Sequence, residues 1–348
     1  MPWYAILLAP VALIFRLVTG VRNFLYDQGL LKSHKGEIPT LVVGNLSVGG
    51  TGKTPHVEFL ISQFKEEKKI ASLSRGYGRK TKGFLQLSLA SLPEEVGDEP
   101  LQLFQKFKGE IPVFVNEDRV LGIQKIKSLI PQLDLVILDD AFQHRKLKAD
   151  FYLLLTPYSK PFSRDFLMPM GRLRESRNGA KRADAVIVSK CPGSLSKEEK
   201  NQFRNELLPY LSSEVPVLFS SIKYGKPYSL GSEYDFTGKV ILISGLADDR
   251  LFIDYSRKEY HVLESFSFPD HYSYSEDDLD IFLEAAQIHQ SQNPVFLCTE
   301  KDAEKLKSLG NGGFLGDFPI FALPIEVYFE PQDREILLNH ISKKLAAK

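Results

Sequence analysis

The segment Ser47-Val48-Gly49-Gly50-Thr51-Gly52-Lys53-Thr54 combines the residue types needed to hold a polyphosphate. Glycines let backbone N–H groups approach phosphate oxygens, and a helix starting just after them adds positive potential. In such a loop Lys53 reaches the β- and γ-phosphates, and the Thr54 hydroxyl ligates magnesium. Ser47 stands where the G-x-x-x-x-G-K-S/T pattern carries its first glycine. A Gly-Lys-Thr triplet alone is common. What lifts this one is its context: an apolar run Leu41–Val43 before it and a helical pattern Pro55–Lys65 after it.

A second group of polar residues follows an apolar run, Leu135-Val136-Ile137-Leu138-Asp139-Asp140. A buried strand ending in carboxylates puts them at the carboxyl edge of a sheet, where open α/β sheets bind ligands. Beside a phosphate loop, such an acid orders the magnesium shell; without one, the pair would merely cap a turn. Ser74-Arg75-Gly76-Tyr77-Gly78 and Gly97-Asp98-Glu99-Pro100 fall just after strands or inside loops. An arginine there can meet a phosphate in bidentate fashion. An unperturbed aspartate, at about 3.9, is too acidic to be an efficient base at neutrality, so the use open to Asp98 is to orient a hydroxyl, helped by a histidine. His144, after Asp139-Asp140-Ala141-Phe142-Gln143, and His271, in Phe268-Pro269-Asp270-His271-Tyr272, are the candidates, and spacing favours neither.

The elements that must position these residues are legible from Thr40 onward, where apolar runs alternate with helical patterns. Leu41–Val43, Ile70–Leu73, Val113–Val115, Leu133–Leu138, Phe151–Leu155, Ala185–Val188 and Val217–Phe219 read as buried strands, with Pro55–Lys65, Arg119–Ile130 and Lys197–Leu211 among the helices. Continuous apolar strands between helices predict a parallel sheet covered on both faces, a phosphate-loop NTPase-like α/β fold. The glycines and proline of 223–238 predict a linker. A smaller α/β domain over 239–348 then ends in the helix Gln332–Ala347 and would close over the nucleotide site.

Lysine plus arginine equals aspartate plus glutamate, 44 each, so no basic footprint points to nucleic acid. Two distant cysteines, Cys191 and Cys298, make neither a zinc quartet nor a disulfide framework. From Met1 to Phe15 there is no charged side chain, but Pro10 and Arg16 interrupt the run before it reaches spanning length. Residues 1–30 are expected to form a helix lying at a membrane interface, with Arg16, Arg22, Lys32 and Lys35 keeping the phosphate-loop domain, 31–222, on the cytoplasmic side. A helix buried against the protein body is the alternative.

Taken together, Gly44-Asn45-Leu46-Ser47 through Thr54-Pro55, the Arg75, Asp98 and Asp139 segments, Gly171-Arg172-Leu173-Arg174-Glu175 and Thr299-Glu300-Lys301-Asp302-Ala303 resemble, in order, the landmarks of the tetraacyldisaccharide 4′-kinases of lipid A biosynthesis. The resemblance covers both domains and the apolar N-terminus. It implies transfer of the γ-phosphate of ATP, with Mg²⁺, to the 4′-hydroxyl of a tetraacylated glucosamine disaccharide 1-phosphate at the inner membrane. It further implies an Asp98–His271 dyad, with Glu99, Asp139 and Thr54 around magnesium. Arg75, Arg119 and Arg172 or Arg174 would face phosphates, with Tyr77, Asp140 and His144 nearby. The chain is expected to act as a monomer. Two other classes compete. A GTPase switch needs an N/T-K-x-D element, but Ser189-Lys190-Cys191-Pro192 lacks the aspartate and Thr299-Glu300-Lys301-Asp302 has the wrong spacing. A membrane-anchored ATPase or metallochaperone would hydrolyse ATP without any lipid.

Overall fold

The apolar runs become strands and the patterns between them become helices in the computed structural model, which describes residues 7–231, 234–270, 272–309 and 319–347. His271 lies outside the described residues. In chain order the elements begin with helix α1 (Ala9–Asp27), then β1 (His34–Lys35), β2 (Thr40–Asn45), α2 (Lys53–Phe64), β3 (Ile70–Ser74), β4 (Leu85–Gln86), α3 (Pro93–Val96), α4 (Asp98–Lys106), β5 (Val113–Val115), α5 (Arg119–Leu129) and β6 (Leu135–Asp139). They continue with β7 (Leu147–Lys148), β8 (Phe151–Pro157), β9 (Ala185–Cys191), α6 (Lys197–Leu207) and β10 (Val217–Tyr224). The remainder are β11 (Tyr228–Ser229), β12 (Lys239–Ser244), α7 (Arg250–Glu259), β13 (His261–Ser267), α8 (Glu276–Ile288), β14 (Val295–Thr299), α9 (Glu300–Leu309), β15 (Ile320–Leu323), β16 (Ile325–Phe329) and α10 (Pro331–Ala346).

Nine strands form the main sheet in the order β16-β10-β9-β8-β2-β6-β3-β5-β4. Strand β2 pairs in parallel with β6 on one side and β8 on the other. Its chain leaves towards β3 and later resumes at β8, so the order reverses beside β2, and that reversal opens a crevice at the strands' carboxyl ends. Both faces are covered. Leu41 and Val43 pack with Val57, Leu60 and Ile61 of α2, Leu101 of α4, and Leu337 and Ile341 of α10. Val42 points the other way, into a core holding Ile123 of α5 and Phe203 and Leu207 of α6. A strand buried on both faces has no polar alternation, which is why these runs read as continuous apolar segments.

The chain divides into two compact units, Met1–Ile222 with Val327–Lys348, and Lys223–Glu326. The second is a five-stranded sheet, β11-β15-β14-β12-β13, with α8 and α9 supplying Leu279, Phe282, Ala303 and Leu306 to one core and α7 supplying Phe252 to another. This corrects the sequence reading at two points. Residues 223–238 are not a bare linker, because Tyr228 and Ser229 pair with Ala322 and Phe321. The final helix belongs to the first unit, because β16 joins the edge of the nine-stranded sheet beside β10 and carries α10 back with it.

Among the described residues no helix is long and apolar enough to cross a membrane. Helix α1 buries only Ala12 and exposes Leu13, Leu17, Val18, Val21 and Phe24, with Leu17 66% accessible. It is tied to the first unit by its polar residues. Asn23 donates to Glu175 Oε2 at 2.7 Å, and Asp27 pairs with Arg145 at 2.6 Å.

Candidate active site

The loop after β2 takes the shape that its glycines permit. Gly52 caps α2 from a left-handed conformation (φ +83°), and Gly49 has φ +99°, both strained for any side chain. Gly44 serves by its smallness, since a Cβ there would meet Phe142 Cβ at 2.6 Å, so β2 and the turn after β6 approach as closely as backbones allow. Inside the loop Asn45 is fully buried and donates from Nδ2 to the Ser47 carbonyl at 2.7 Å and to Thr51 Oγ1 at 2.8 Å. The loop's outer wall is the 167–174 segment. Val48 N–H donates to Arg172 O, and Arg174 N–H to Leu46 O, each at 2.8 Å.

Strand β6 lies beside β2 in a register that pairs Val43 with Asp139, so the loop and the two aspartates occupy one sheet edge. Asp140 is left-handed (φ +49°), with its N–H held by Val43 O at 3.0 Å. Its carboxylate takes a bidentate pair from Arg174, at 3.0 and 2.7 Å, and lies 3.8 Å from the Lys53 ammonium. Arg174 also reaches the Asn45 carbonyl at 3.3 Å and the Asn45 side-chain oxygen. Burial pushes the Asp140 carboxyl upward, but Lys53, Arg174 and Arg119 outweigh it and hold it down at about 2. Asp139 goes the opposite way. Burial, reinforced by the Glu99 carboxylate, lifts it to about 7.

Asp98 and Glu99 were expected in a loop, and the structure corrects this: they open helix α4, in its first turn, where the helix N-terminus favours acidic groups. Asp139 Oδ1 is buried without a hydrogen-bond partner, beside the charge of Glu99. An orphaned oxygen between two carboxyls, next to a phosphate loop, fits a hard divalent cation. No group of three or more histidine, cysteine, aspartate or glutamate residues among those described holds a metal alone. Magnesium fits that limit, since it takes one or two carboxylates and completes its shell with phosphate and water.

The remaining sequence candidates fall into two sets. Arg119 is 3% exposed and donates to Glu117 O at 3.1 Å and Asp140 O at 3.4 Å; burial lowers it to about 10, so it stays cationic at neutrality. His144 is pulled down to about 4 by burial and by Arg119, so its ring is neutral, and its Nε2 is buried without a partner. Arg75 also acts on both groups electrostatically, and it and Tyr77 are exposed in the turn after β3. Arg172 is the outlier. Its side chain is bound to Asp165 at 2.9 Å, and its carbonyl holds the loop.

In the second unit, the Thr299-Glu300-Lys301-Asp302 landmark has a structural role. Asp302 is fully buried and accepts from Thr299 Oγ1 at 2.6 Å, Gly245 N–H at 3.0 Å and Tyr274 OH at 3.0 Å, while Lys301 pairs with Asp270 at 2.7 Å. Together they anchor the segment on either side of position 271. Several organising residues went unassigned from sequence. Asn45, Gln143, Glu175 and Arg182 form a chain through Gln143 to Asn45 O (2.8 Å) and Glu175 (3.0 Å), and Arg182 to Glu175 (2.6 Å). Asn45, Gln143 and Glu175 stand inside the quoted landmarks, so the signal was there without a role attached.

A glycine-capped loop, its lysine and hydroxyl at the start of a helix, and an acid pair on the neighbouring strand define a phosphate-loop nucleotide-dependent enzyme. The Tetraacyldisaccharide-1-P 4′-kinase family matches residues 4–343, and the chain belongs to that family. It is 39% identical over 347 residues to a Tetraacyldisaccharide 4′-kinase of Cytophaga hutchinsonii, covering 98% of this chain and 95% of the relative. A Flavobacterium psychrophilum protein of the same name is 39% identical over 342 residues, 96% of each chain. Among solved structures, LpxK from Aquifex aeolicus in complex with ATP is similar at a TM-score of 0.75 and 32% identity, covering 98% of this chain and 99% of that one.

Proposed function

We propose that this protein transfers the γ-phosphate of ATP to the 4′-hydroxyl of a tetraacylated glucosamine disaccharide 1-phosphate, the kinase step of lipid A biosynthesis. The observation that carries this is the juxtaposition of the phosphate loop with Asp139 and Asp140 on paired strands, in a chain matching the family almost end to end.

The loop N–H groups and Lys53 bind and orient the triphosphate, and Arg174 and Arg119 keep the Asp140 carboxylate from neutralising Lys53. Thr54, Asp139 and Glu99 would hold magnesium, which when bound neutralises charge on the transferring phosphoryl group. Asp98 orients the acceptor hydroxyl, and His271 is the candidate to hold the proton released as the O–P bond forms and ADP departs. Arg75 and Tyr77, exposed after β3, are available to the acceptor's 1-phosphate or sugar.

The exposed apolar side of α1 supports a peripheral seat on the cytoplasmic leaflet of the inner membrane, where the acyl chains of the acceptor already lie. A single copy of the chain carries every residue the reading uses. The test is phosphate transfer from radiolabelled ATP in detergent micelles, with and without tetraacyldisaccharide 1-phosphate. Labelled lipid formed only with the acceptor is expected. ATP hydrolysis indifferent to lipid would replace this reading with that of an ATPase.

A further inference from the structure

A line of side chains joins helix α1 to the inside of the phosphate loop, and phosphate transfer makes no use of its outer end. Asn23 Nδ2 donates to Glu175 Oε2 at 2.7 Å, and Arg22 Nη2, 3.3 Å from Asn23 Oδ1, fixes which way that amide points. Glu175 is fully buried, and its other oxygen accepts from Gln143 Nε2 at 3.0 Å and from Arg182 at 2.6 Å. Gln143 Nε2 is shared with the Asn45 carbonyl, at 2.8 Å. Asn45 in turn donates to Ser47 O at 2.7 Å and Thr51 Oγ1 at 2.8 Å, within the loop itself.

Among the described residues, Asn23 is the sole hydrogen-bond partner of Glu175 Oε2. A buried carboxylate oxygen that loses its donor must find another. Turning toward Arg182 and Gln143 draws Gln143 away from the Asn45 carbonyl, and the brace on Ser47 and Thr51 slackens. Whether Asn23 is in place depends on the seat of α1. Its less exposed stripe, Ala12, Phe15, Thr19, Asn23 and Tyr26, buries only Ala12, while Leu13, Leu17, Val21 and Phe24 on the other side are exposed. An element with so little apolar burial opens locally at low cost in water. A bilayer surface that takes up the exposed side holds the helix down. We propose that Asn23 is a positioning residue of the phosphate loop, through which a phospholipid surface under α1 tightens the nucleotide site. The chain thereby binds ATP best where its lipid acceptor lies. This rests on the peripheral membrane seat of α1 and on the ATP-using reading of the site.

The experiment titrates the full-length protein with magnesium and a non-hydrolysable ATP analogue by calorimetry. It is run with and without vesicles of phosphatidylcholine and phosphatidylglycerol, and without acceptor. The parent is expected to bind the analogue about fivefold more tightly on vesicles. By linkage, saturating analogue should strengthen its vesicle binding by the same factor, read by co-sedimentation. Asn23→Leu removes the donor at a half-buried position and leaves the exposed side of α1 intact. It should match the parent within about twofold in vesicle-free nucleotide affinity and in nucleotide-free vesicle binding, with both coupling effects gone. Asn23→Ala should behave alike, which separates the lost bond from any misfit of leucine. A vesicle-bound parent with unchanged nucleotide affinity overturns the inference. So does an Asn23→Leu protein weakened equally with and without vesicles, since the bond is then merely structural. A parent that ignores vesicles altogether removes the membrane seat and the inference with it, whereas one that fails to bind the analogue removes the ATP reading.

Discussion

Arg174 is the residue whose removal tests the logic of the site most directly. Asp140 carries a full negative charge 3.8 Å from Lys53, and the two Arg174 bonds, at 3.0 and 2.7 Å, occupy its oxygens. In Arg174→Ala nothing prevents Lys53 from closing onto that carboxylate at ordinary ion-pair distance, about 2.8 Å. At an effective dielectric near 20, closing from 3.8 to about 2.8 Å deepens the attraction by about 1.5 kcal/mol, and solvent access to Asp140 trims this to about 1 kcal/mol. The γ-phosphate must then win Lys53 back, which costs about fivefold in kcat/KM from this term alone. Loss of the guanidinium's own charge beside the phosphates brings the total to about 10²-fold. The assay is steady-state phosphate transfer to the lipid acceptor at varied ATP, run on Arg174→Ala, Asp140→Asn and the double variant. Asparagine tolerates the left-handed backbone at 140. Because about fivefold of the Arg174 effect acts through the Asp140 charge, the double variant should lose about fivefold less than the product of the single losses. Fully multiplicative losses, or an Arg174→Ala enzyme within twofold of the parent, would refute the argument.

Other perturbations follow from the same geometry. Lys53→Ala should lower kcat by about 10²–10³-fold without unfolding the protein; near-normal turnover would remove the loop from the mechanism. Asp98→Ala and His271→Ala should each cost about 10²–10⁴-fold in kcat, and the pair together little more than the worse single, which a double-mutant cycle reads directly. Leu17→Glu with Val21→Glu on α1 changes only exposed positions, so the fold should hold while co-sedimentation with anionic phospholipid vesicles drops. Unaltered sedimentation would leave the helix without a membrane role. His56, held by Gly52 O at 2.7 Å and Ser220 Oγ at 3.0 Å, is kept near pKa 4 by burial, so the unfolded chain takes its proton first as pH falls. Its stabilising contribution is present above about pH 6.5 and is lost towards pH 4, with about 2 kcal/mol gone by pH 5. Thermal melts of His56→Gln at pH 7 and 5 should show a smaller drop than the parent.

Much of the first unit could be read in advance, because its strands are buried on both faces and announce themselves as unbroken apolar runs. Val113–Val115 was delimited to the residue. The strand β16 escaped notice for the opposite reason. Its alternation of half-buried and exposed positions across Ile325–Phe329 resembles a surface loop, and without it α10 had no visible route back to the first unit. Glycine and proline made 97–100 look like a turn, although Pro100 lies within the first turn of α4, the one helical position range that tolerates it. Lys53, Asp139 and Asp140 stood out by their type and their place after apolar runs, whereas the equally charged Glu175 and Arg182 did not. Asn45, which braces the loop from a fully buried position, did not either, because hydrogen bonds to backbone atoms leave no spacing rule in the sequence.

The return of the chain after residue 326 has a consequence for biosynthesis. Residues 223–326 are complete as a sheet with its own cores, whereas the nine-stranded sheet lacks β16, and its α2 face lacks Leu337 and Ile341, until the chain beyond residue 326 has been made. On the ribosome, the inserted unit can therefore mature while its host is still waiting for its final helix. A product halted at residue 326 would contain the phosphate loop, both aspartates and position 271, yet its host sheet would present an open apolar surface to chaperones and proteases.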